Sequence, residues 1–318
     1  MKKAIWITWE HQIRNRSMAA MLGADLYVIC HGGGRFRRYL RCASDTFTVI
    51  RKEKPDVVIA QNPSIVLNYL LLLIRCLYRY EFVTDAHFGG VIAFNGNYLF
   101  QQALDLCNKL ADLVIVTNKE HAAYVRTIGG TVFVCEDPLP DLSRYDLGVE
   151  PTDKTVYFIC SFDIDEPYEF VFEAARKLAT DNFNFYVSGN YAKVKIDPTK
   201  YPQVNFMGFV SERDFYDRLF RSDVVLDLTE RENCLVCGAY EAMAAEKPLV
   251  TSERACLKEY FNKGAIFTRH DSSSIVEAVR TAYQERSRLK EEIREWKVRT
   301  INVQNERKSA LSKILGME

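Results

Sequence analysis

The chain lacks a charge excess, a membrane-length apolar run, a cysteine framework and internal repeats. Each absence removes a class of function. Its 42 basic and 42 acidic side chains cancel over 318 residues, so nothing global argues for a nucleic-acid partner. The most apolar segment, IVLNYLLLLIRCLY at 65–78, is interrupted by Asn68 and Arg75 and is too short to span a bilayer. The start, MKKAIWITWE, has two lysines, a short apolar run and no small-residue cleavage site, so no signal peptide is read there. Nine cysteines are few for a disulfide scaffold. Cys30, Cys76, Cys135 and Cys160 sit in apolar runs, as buried small hydrophobes do. These features place the chain in the cytoplasm with reduced thiols. No low-complexity tract is present.

What is there is an alternation. A hydrophobic content of 48% and a charged content of 26% are ordinary for a soluble enzyme, and the length suits two domains of about 150 residues. In the first half AIWIT, DLYVI, DVVIA, EFVTD, DLVIVT and TVFVC read as strands. They are Val/Ile-rich and apolar on both faces, as parallel strands covered by helices must be. The stretches between them carry helical apolar spacing, with Gly23 and Gly129-Gly130 as stops. EDPLPDLSRYDLGVEPTDK at 136–154, with three prolines, reads as an interdomain linker. The alternation then restarts through VYFIC, FNFYVS, VNFMGF, VVLDLT, PLVTS and AIFTR. The expectation is an α/β chain of two Rossmann-like, doubly wound domains, 1–148 and 149–299, facing a central cleft. A charged C-terminal helix at about 300–318 is expected to pack back on the first domain.

In open parallel sheets ligands bind outside the carboxyl ends of the strands. Three stretches lie there: TWEHQIRNRS, TDAHFGG and LTERENCLVCGAYEA. In the third, Cys234-Leu-Val-Cys237 sits where a loop becomes a helix. Zinc needs four ligands, no second such pair exists, and the five histidines are not at finger-like spacing. No metal site is expected, and the thiols read as packing groups. A helix N-terminus instead suits a phosphate. Gly238 permits close approach. Glu241, a turn into the helix, can accept from two vicinal hydroxyls.

RENCLVCGAYEAMAAEKPLV resembles the nucleotide-sugar segment of family 4 glycosyltransferases, which have the GT-B fold. Glu241 matches the family's second Glu, which holds the ribose. The position of the first Glu, which touches the transferred sugar, is Asn233, with Glu232 one step off. KPDVVIAQNPSIVL, ADLVIVTNKEHAAYV, FYVSGNY and VNFMGFVSERDFYDRLFRSDVVLDLT extend the resemblance over nearly the whole chain. It implies that Gly208, Phe209 and Val210 meet the base, and that Ser161, Ser188, Gly189 and Asn190 line the donor site. Arg231, Glu232 and the backbone of Cys234, Leu235, Val236, Cys237 and Gly238 complete that site around sugar and phosphate. In similar enzymes a His after the fourth strand contacts the donor sugar. That His is His87 here, with Asp85 orienting it by hydrogen bond or capping the next turn. The loop after the first strand faces the diphosphate or acceptor, here through Glu10, His11, Arg14 and Arg16, with Ser17 a candidate helix cap.

One departure stands out. The family's Arg and Lys after the first strand of the second domain are replaced by SFDIDEPYEF. Arg231, Arg213, Lys247, Arg254 or Arg14 could substitute from other loops. The resemblance implies retaining transfer of a sugar from a UDP-linked donor to a hydroxyl acceptor, with no cofactor and no metal requirement. An epimerase, or a nucleotide-sugar-binding protein without transfer, is the alternative. Residues 1–54 hold 11 Lys/Arg against 4 Asp/Glu, four of them Arg35, Arg37, Arg38 and Arg41. With the apolar 65–78 segment, they are compatible with a peripheral enzyme at the inner face of the membrane, acting on a glycan or lipid-linked acceptor. A buried core helix beside a solvated one is the other reading.

Overall fold

The alternating apolar runs form two separate parallel sheets in a computed structural model, which describes residues 1–92, 96–146, 148, 151 and 154–318. The first unit comprises Met1–Pro138 and Asn302–Glu318; the second comprises Leu139–Ile301.

In the first unit the strands are β1 (Ala4–Thr8), β2 (Asp25–Val28), β3 (Val57–Asn62), β4 (Glu81–Ala86), β5 (Leu113–Val116) and β6 (Val132–Val134). They lie in the order β2-β1-β3-β4-β5-β6, every neighbour parallel. The helices are α1 (Ile13–Leu22), α2 (Arg35–Glu53), α3 (Ile65–Ile74), a single turn α4 (Phe88–Val91), α5 (Tyr98–Leu110) and α6 (Lys119–Thr127). Ile50, Leu71, Cys107 and Val125 from α2, α3, α5 and α6 are buried together on one side of the sheet. Met18 and Leu22 of α1 pack with Trp6, Leu311 and Leu315 in another cluster.

In the second unit the strands are β7 (Thr155–Ile159), β8 (Asn184–Ser188), β9 (Val204–Gly208), β10 (Val224–Asp227), β11 (Leu249–Ser252) and β12 (Ala265–Thr268). Their order is β12-β11-β10-β7-β8-β9, again all parallel. The helices are α7 (Tyr168–Leu178), α8 (Glu212–Phe220), α9 (Cys237–Ala244), α10 (Ala255–Tyr260), α11 (Ser272–Gln284) and the long α12 (Arg286–Ile314). Strand order reverses between β7 and β10, so the two chains of connections leave in opposite directions and open a crevice there.

Residues 139–146 and 148, expected with the first domain, belong to the second unit. Their apolar side chains decide this: Leu142 is buried among Tyr216, Leu219 and Phe220, with Leu139 and Tyr145 packed against the same cluster. The expected start of the second domain, residue 149, lies outside the described residues. α12 is shared, with Ile293 and Trp296 in the second unit's core and Leu311 and Leu315 in the first's. Among the described residues, no helix is long and apolar enough to cross a membrane.

Candidate functional site

Three strand ends of the second unit meet at its switch point. Ile159–Ser161 leave β7, Ser188–Asn190 leave β8 and Asp227–Thr229 leave β10. Together with Cys234–Gly238 they enclose a cavity of about 680 Å³, a size typical of small-molecule sites. Of the expected donor residues, Ser161, Ser188, Gly189, Asn190, Phe209, Val210, Arg231, Cys234, Leu235, Val236, Cys237 and Gly238 line it. Phe209 presents its ring almost fully to solvent, a surface on which a planar ligand can stack.

Four expected residues of the second unit are not on its wall. Gly208 ends β9, and its carbonyl accepts the Gly189 N–H at 2.9 Å. Glu232 is exposed and paired with Arg254 at 2.5 Å. Asn233 takes a left-handed conformation, φ 56°, which Asn tolerates in a turn. Glu241 lies deeper, as described below.

The cavity's charge is acidic. Asp163, Asp165, Glu166 and Asp227 line it, and Arg231 is its lining cation besides. Arg231 is held 2.7 Å from Asp165 and 3.7 Å from Asp163. Glu166 organises the loop after β7: its carboxylate accepts the Ser161 N–H at 3.0 Å, the Ser161 hydroxyl at 3.0 Å and the Asp163 N–H at 2.7 Å. Asp165 accepts the Thr229 hydroxyl at 2.6 Å. These carboxylates brace the loop. Among the described residues, no group of three or more His, Cys, Asp or Glu is placed to hold a metal ion. The other cations considered for a phosphate are placed elsewhere. The Lys247 ammonium is buried on the Phe220 carbonyl at 2.5 Å, Arg254 meets Glu232, Arg213 is exposed off the cavity wall, and Arg14 belongs to the first unit.

The tip of α9 carries its own anion partner. The Ala239 N–H donates to Asp227 at 2.9 Å, and a Cβ on Gly238 would stand 2.7 Å from the same carboxylate oxygen. Asp227 is pushed well above the usual carboxylate range by burial, then by Glu166 and Glu241, against the pull of the Ala239 and Gly238 N–H groups. The N–H group of Gly238, expected on phosphate, therefore already has a partner inside the chain. Asp227 is not among the residues expected from the sequence. Its signal was available, as a lone acid ending an otherwise apolar strand.

No disulfide joins any of the nine cysteines. Burial pushes the Cys234 thiol up to about 12, which leaves it protonated and unreactive at neutral pH.

Glu241 is buried, and its carboxylate accepts the Tyr216 hydroxyl at 3.4 Å. Tyr145 stacks on Tyr216 with ring centroids 4.4 Å apart. Burial raises Glu241 to about 7, with the Tyr216 hydrogen bond opposing and Glu212 assisting. The native state thus holds its proton over a range where the unfolded chain releases it. Stability is fully present below the ordinary Glu range and falls as pH rises to about 7, by about 3 kcal/mol. Glu241→Gln should therefore melt several degrees above the parent at about pH 8 and nearly with it at about pH 4. Thermal melts across pH check this; parallel curves would refute the assignment.

In the first unit, Arg14 is the centre of the polar loops. Its guanidinium forms two bonds to Asp85, at 2.8 and 2.6 Å, and one to Asp137 at 2.6 Å. Burial alone would lower Arg14, but Asp137 and Asp85 outweigh it and hold it well above its ordinary value. Asp85 thus anchors Arg14; it neither caps a turn nor bonds His87. Arg14 and Asp85, expected on the acceptor side, are buried in this pair, while Glu10, His11 and Arg16 remain exposed. Ser17 is not a cap: it lies inside α1, whose first turn begins at Ile13, and its hydroxyl donates to the Arg14 carbonyl at 3.1 Å. His87 precedes α4, and its Nδ1 is buried without a hydrogen-bond partner. Burial lowers it, with Asp85 raising and Arg14 lowering it further, so it is neutral at pH 7. His121, which the sequence reading did not single out, sits 6.0 Å from the Phe88 ring and is pushed to about 4 by burial.

Comparison with known proteins accords with this geometry. A family model described as glycosyl transferase-like matches residues 166–307, which carry most of the cavity wall. No curated protein matches. The Anabaena protein HepE, solved in complex with UDP-glucose, superposes with a TM-score of 0.73 at 12% identity over 98% of this chain and 100% of that one. Sucrose-phosphate synthase from Thermosynechococcus elongatus gives 0.70 at 14% identity over 100% and 97%. UDP-GlcNAc 2-epimerase from Methanocaldococcus jannaschii gives 0.61 at 14% over 89% and 93%. The fold is thus GT-B, with two Rossmann-like domains, and the second carries a glycosyltransferase-like segment.

Proposed function

We propose that this protein is a retaining glycosyltransferase of the family 4 type. It moves a sugar from a nucleoside diphosphate sugar, UDP-linked, to a hydroxyl acceptor in cell-surface glycan or glycolipid synthesis. The observation that carries this reading is the second unit's cavity at the β7/β10 switch point, most of whose wall belongs to the glycosyl transferase-like segment. Phe209 and Val210 receive the base and Ser188–Asn190 the diphosphate side. Glu241 holds the ribose from α9, where its carboxylate already takes one hydroxyl, that of Tyr216. Asn233 and His87 act on the transferred sugar, and Glu10, His11 and Arg16 meet the acceptor. Such a reaction needs positioning and charge stabilisation more than a strong general base, and the reading requires neither metal nor cofactor. The positive charge facing the leaving diphosphate comes from Arg231, released from Asp163 and Asp165.

The acid-lined wall, with its cation already paired, favours one second reading: a nucleotide-sugar-binding protein or epimerase without glycosyl transfer. Titration calorimetry with UDP, GDP, ADP and CMP, with and without Mg²⁺, separates these from a chain that binds none. Selective UDP binding is expected, and product analysis with UDP-sugar alone then distinguishes epimerisation from transfer. Because ribose hydroxyls donate to an ionised Glu241, UDP affinity should rise about tenfold between pH 6 and pH 8. Glu241→Gln should flatten that rise; an unchanged pH profile would remove Glu241 from the ribose.

A further inference from the structure

The first unit exposes apolar side chains that its core does not use. On α2, Phe36 and Leu40 are 76% and 56% exposed, and Phe47 continues their line at helical spacing. Phe47 meets the edge of the Tyr78 ring at 5.7 Å, which carries the line to the end of α3. There Leu73 and Leu77 are 70% and 73% exposed. The Tyr69 hydroxyl donates to the Ala103 carbonyl at 2.9 Å and ties α3 to α5. On α5, Leu99, Leu106 and Leu110 stand in solvent at the same spacing. The inner faces of all three helices are buried in one cluster, against one side of the sheet. Their outer faces each carry exposed apolar side chains on neighbouring helices, and such clustered exposure marks an interaction surface.

Its charge identifies the partner. α2 carries Arg35, Arg37, Arg38, Arg41, Arg51 and Lys52 against Asp45 and Glu53. Both acids are occupied, Asp45 by His31 at 2.6 Å and Glu53 by Lys3 at 2.7 Å. Arg37 and Arg41 flank the Phe36–Leu40 line and are exposed. A second copy of the chain would bring arginine against arginine. A surface that is apolar inside and anionic outside complements both features at once.

We propose that the α2–α3–α5 face docks this protein on an anionic lipid bilayer, with Phe36, Leu40, Leu77 and Leu99 entering the headgroup boundary and Arg37 and Arg41 on lipid phosphate. This stands independently of the transfer reaction. The test is co-sedimentation of the full chain with phosphatidylcholine vesicles, with and without phosphatidylglycerol, at low and high salt. Binding only to the anionic vesicles, weakened by salt, is expected. The Arg37→Glu/Arg41→Glu variant should lose about thirtyfold or more in partitioning, and Leu77→Ser/Leu99→Ser should also release the protein; both should keep the parental melting temperature. Equal binding to both vesicle types, or to neither, overturns the proposal. So does a protein dimer in sedimentation velocity that the same substitutions dissociate, because the face would then be a contact between copies.

Discussion

Gly189→Ala should give insoluble protein or, where it folds, a second unit melting about 10 °C below the parent, with UDP binding lost. Gly189 follows β8 with φ 111°, a conformation that side chains rarely adopt, and an added Cβ would lie 1.8 Å from the Cys160 carbonyl oxygen. That oxygen cannot retreat without moving the loop that Glu166 braces through Ser161 and Asp163. Strain and overlap together cost about 3 kcal/mol or more. The same contact lets β8 and the β7 loop close one side of the cavity, so any relaxation that rescues folding deforms the proposed donor site. Gly32→Ala is the control: nothing lies within 4 Å of its Cβ, and its melting temperature should stay within about 2 °C. If Gly189→Ala melts like the control and keeps UDP affinity, the close approach is not what shapes the cavity.

Arg14→Ala should destabilise the first unit by about 3–5 kcal/mol, because it strands the fully buried Asp85 carboxylate and leaves Asp137 without its partner. Arg14→Lys should recover only part of this, since an ammonium cannot make the two parallel bonds to Asp85. Adding Asp85→Asn to Arg14→Ala removes the stranded charge and should restore more stability than the lysine does. Denaturant melts of the parent, Arg14→Ala, Asp85→Asn and the double variant measure the coupling. Additive losses for Arg14 and Asp85 would show that the pair is not a unit. The neighbourhood supplies a second readout. Arg14 lowers His87 and Asp85 raises it, so His87 in Arg14→Ala should titrate higher than in the parent when followed by NMR.

Much of the architecture was legible in residue order. A strand covered on both faces must be apolar at every position, so VVIA, LVIV and VVLD announce themselves, and helical spacing between them demands parallel crossovers. Gly23 stops α1 with φ 69° because only a left-handed residue ends that helix there. The loop into α9 was legible for the same reason: a polar turn between an apolar strand and good helix formers lies at a strand's carboxyl end.

Other features depend on distance along the chain. Asp85 read as a partner for His87 two residues away, but its carboxylate meets Arg14 across a sequence separation of 71. No local pattern carries such a pairing; burial of both groups enforces it. Asp227 and Gly238 look unrelated until α9 folds back over β10 and puts a carboxylate at its own N-terminus. Glu241 follows the spacing expected of a ribose ligand, yet packing beneath Tyr216 sets its protonation. The 65–78 segment shows the division most plainly. Its composition is apolar all round, which made a buried helix the natural reading. Only the sheet and the neighbouring α2 and α5 decide which face is covered, because a side chain's burial is a property of what surrounds it. Leu67 and Leu71 are sealed in the core, while Leu73 and Leu77 stand in solvent.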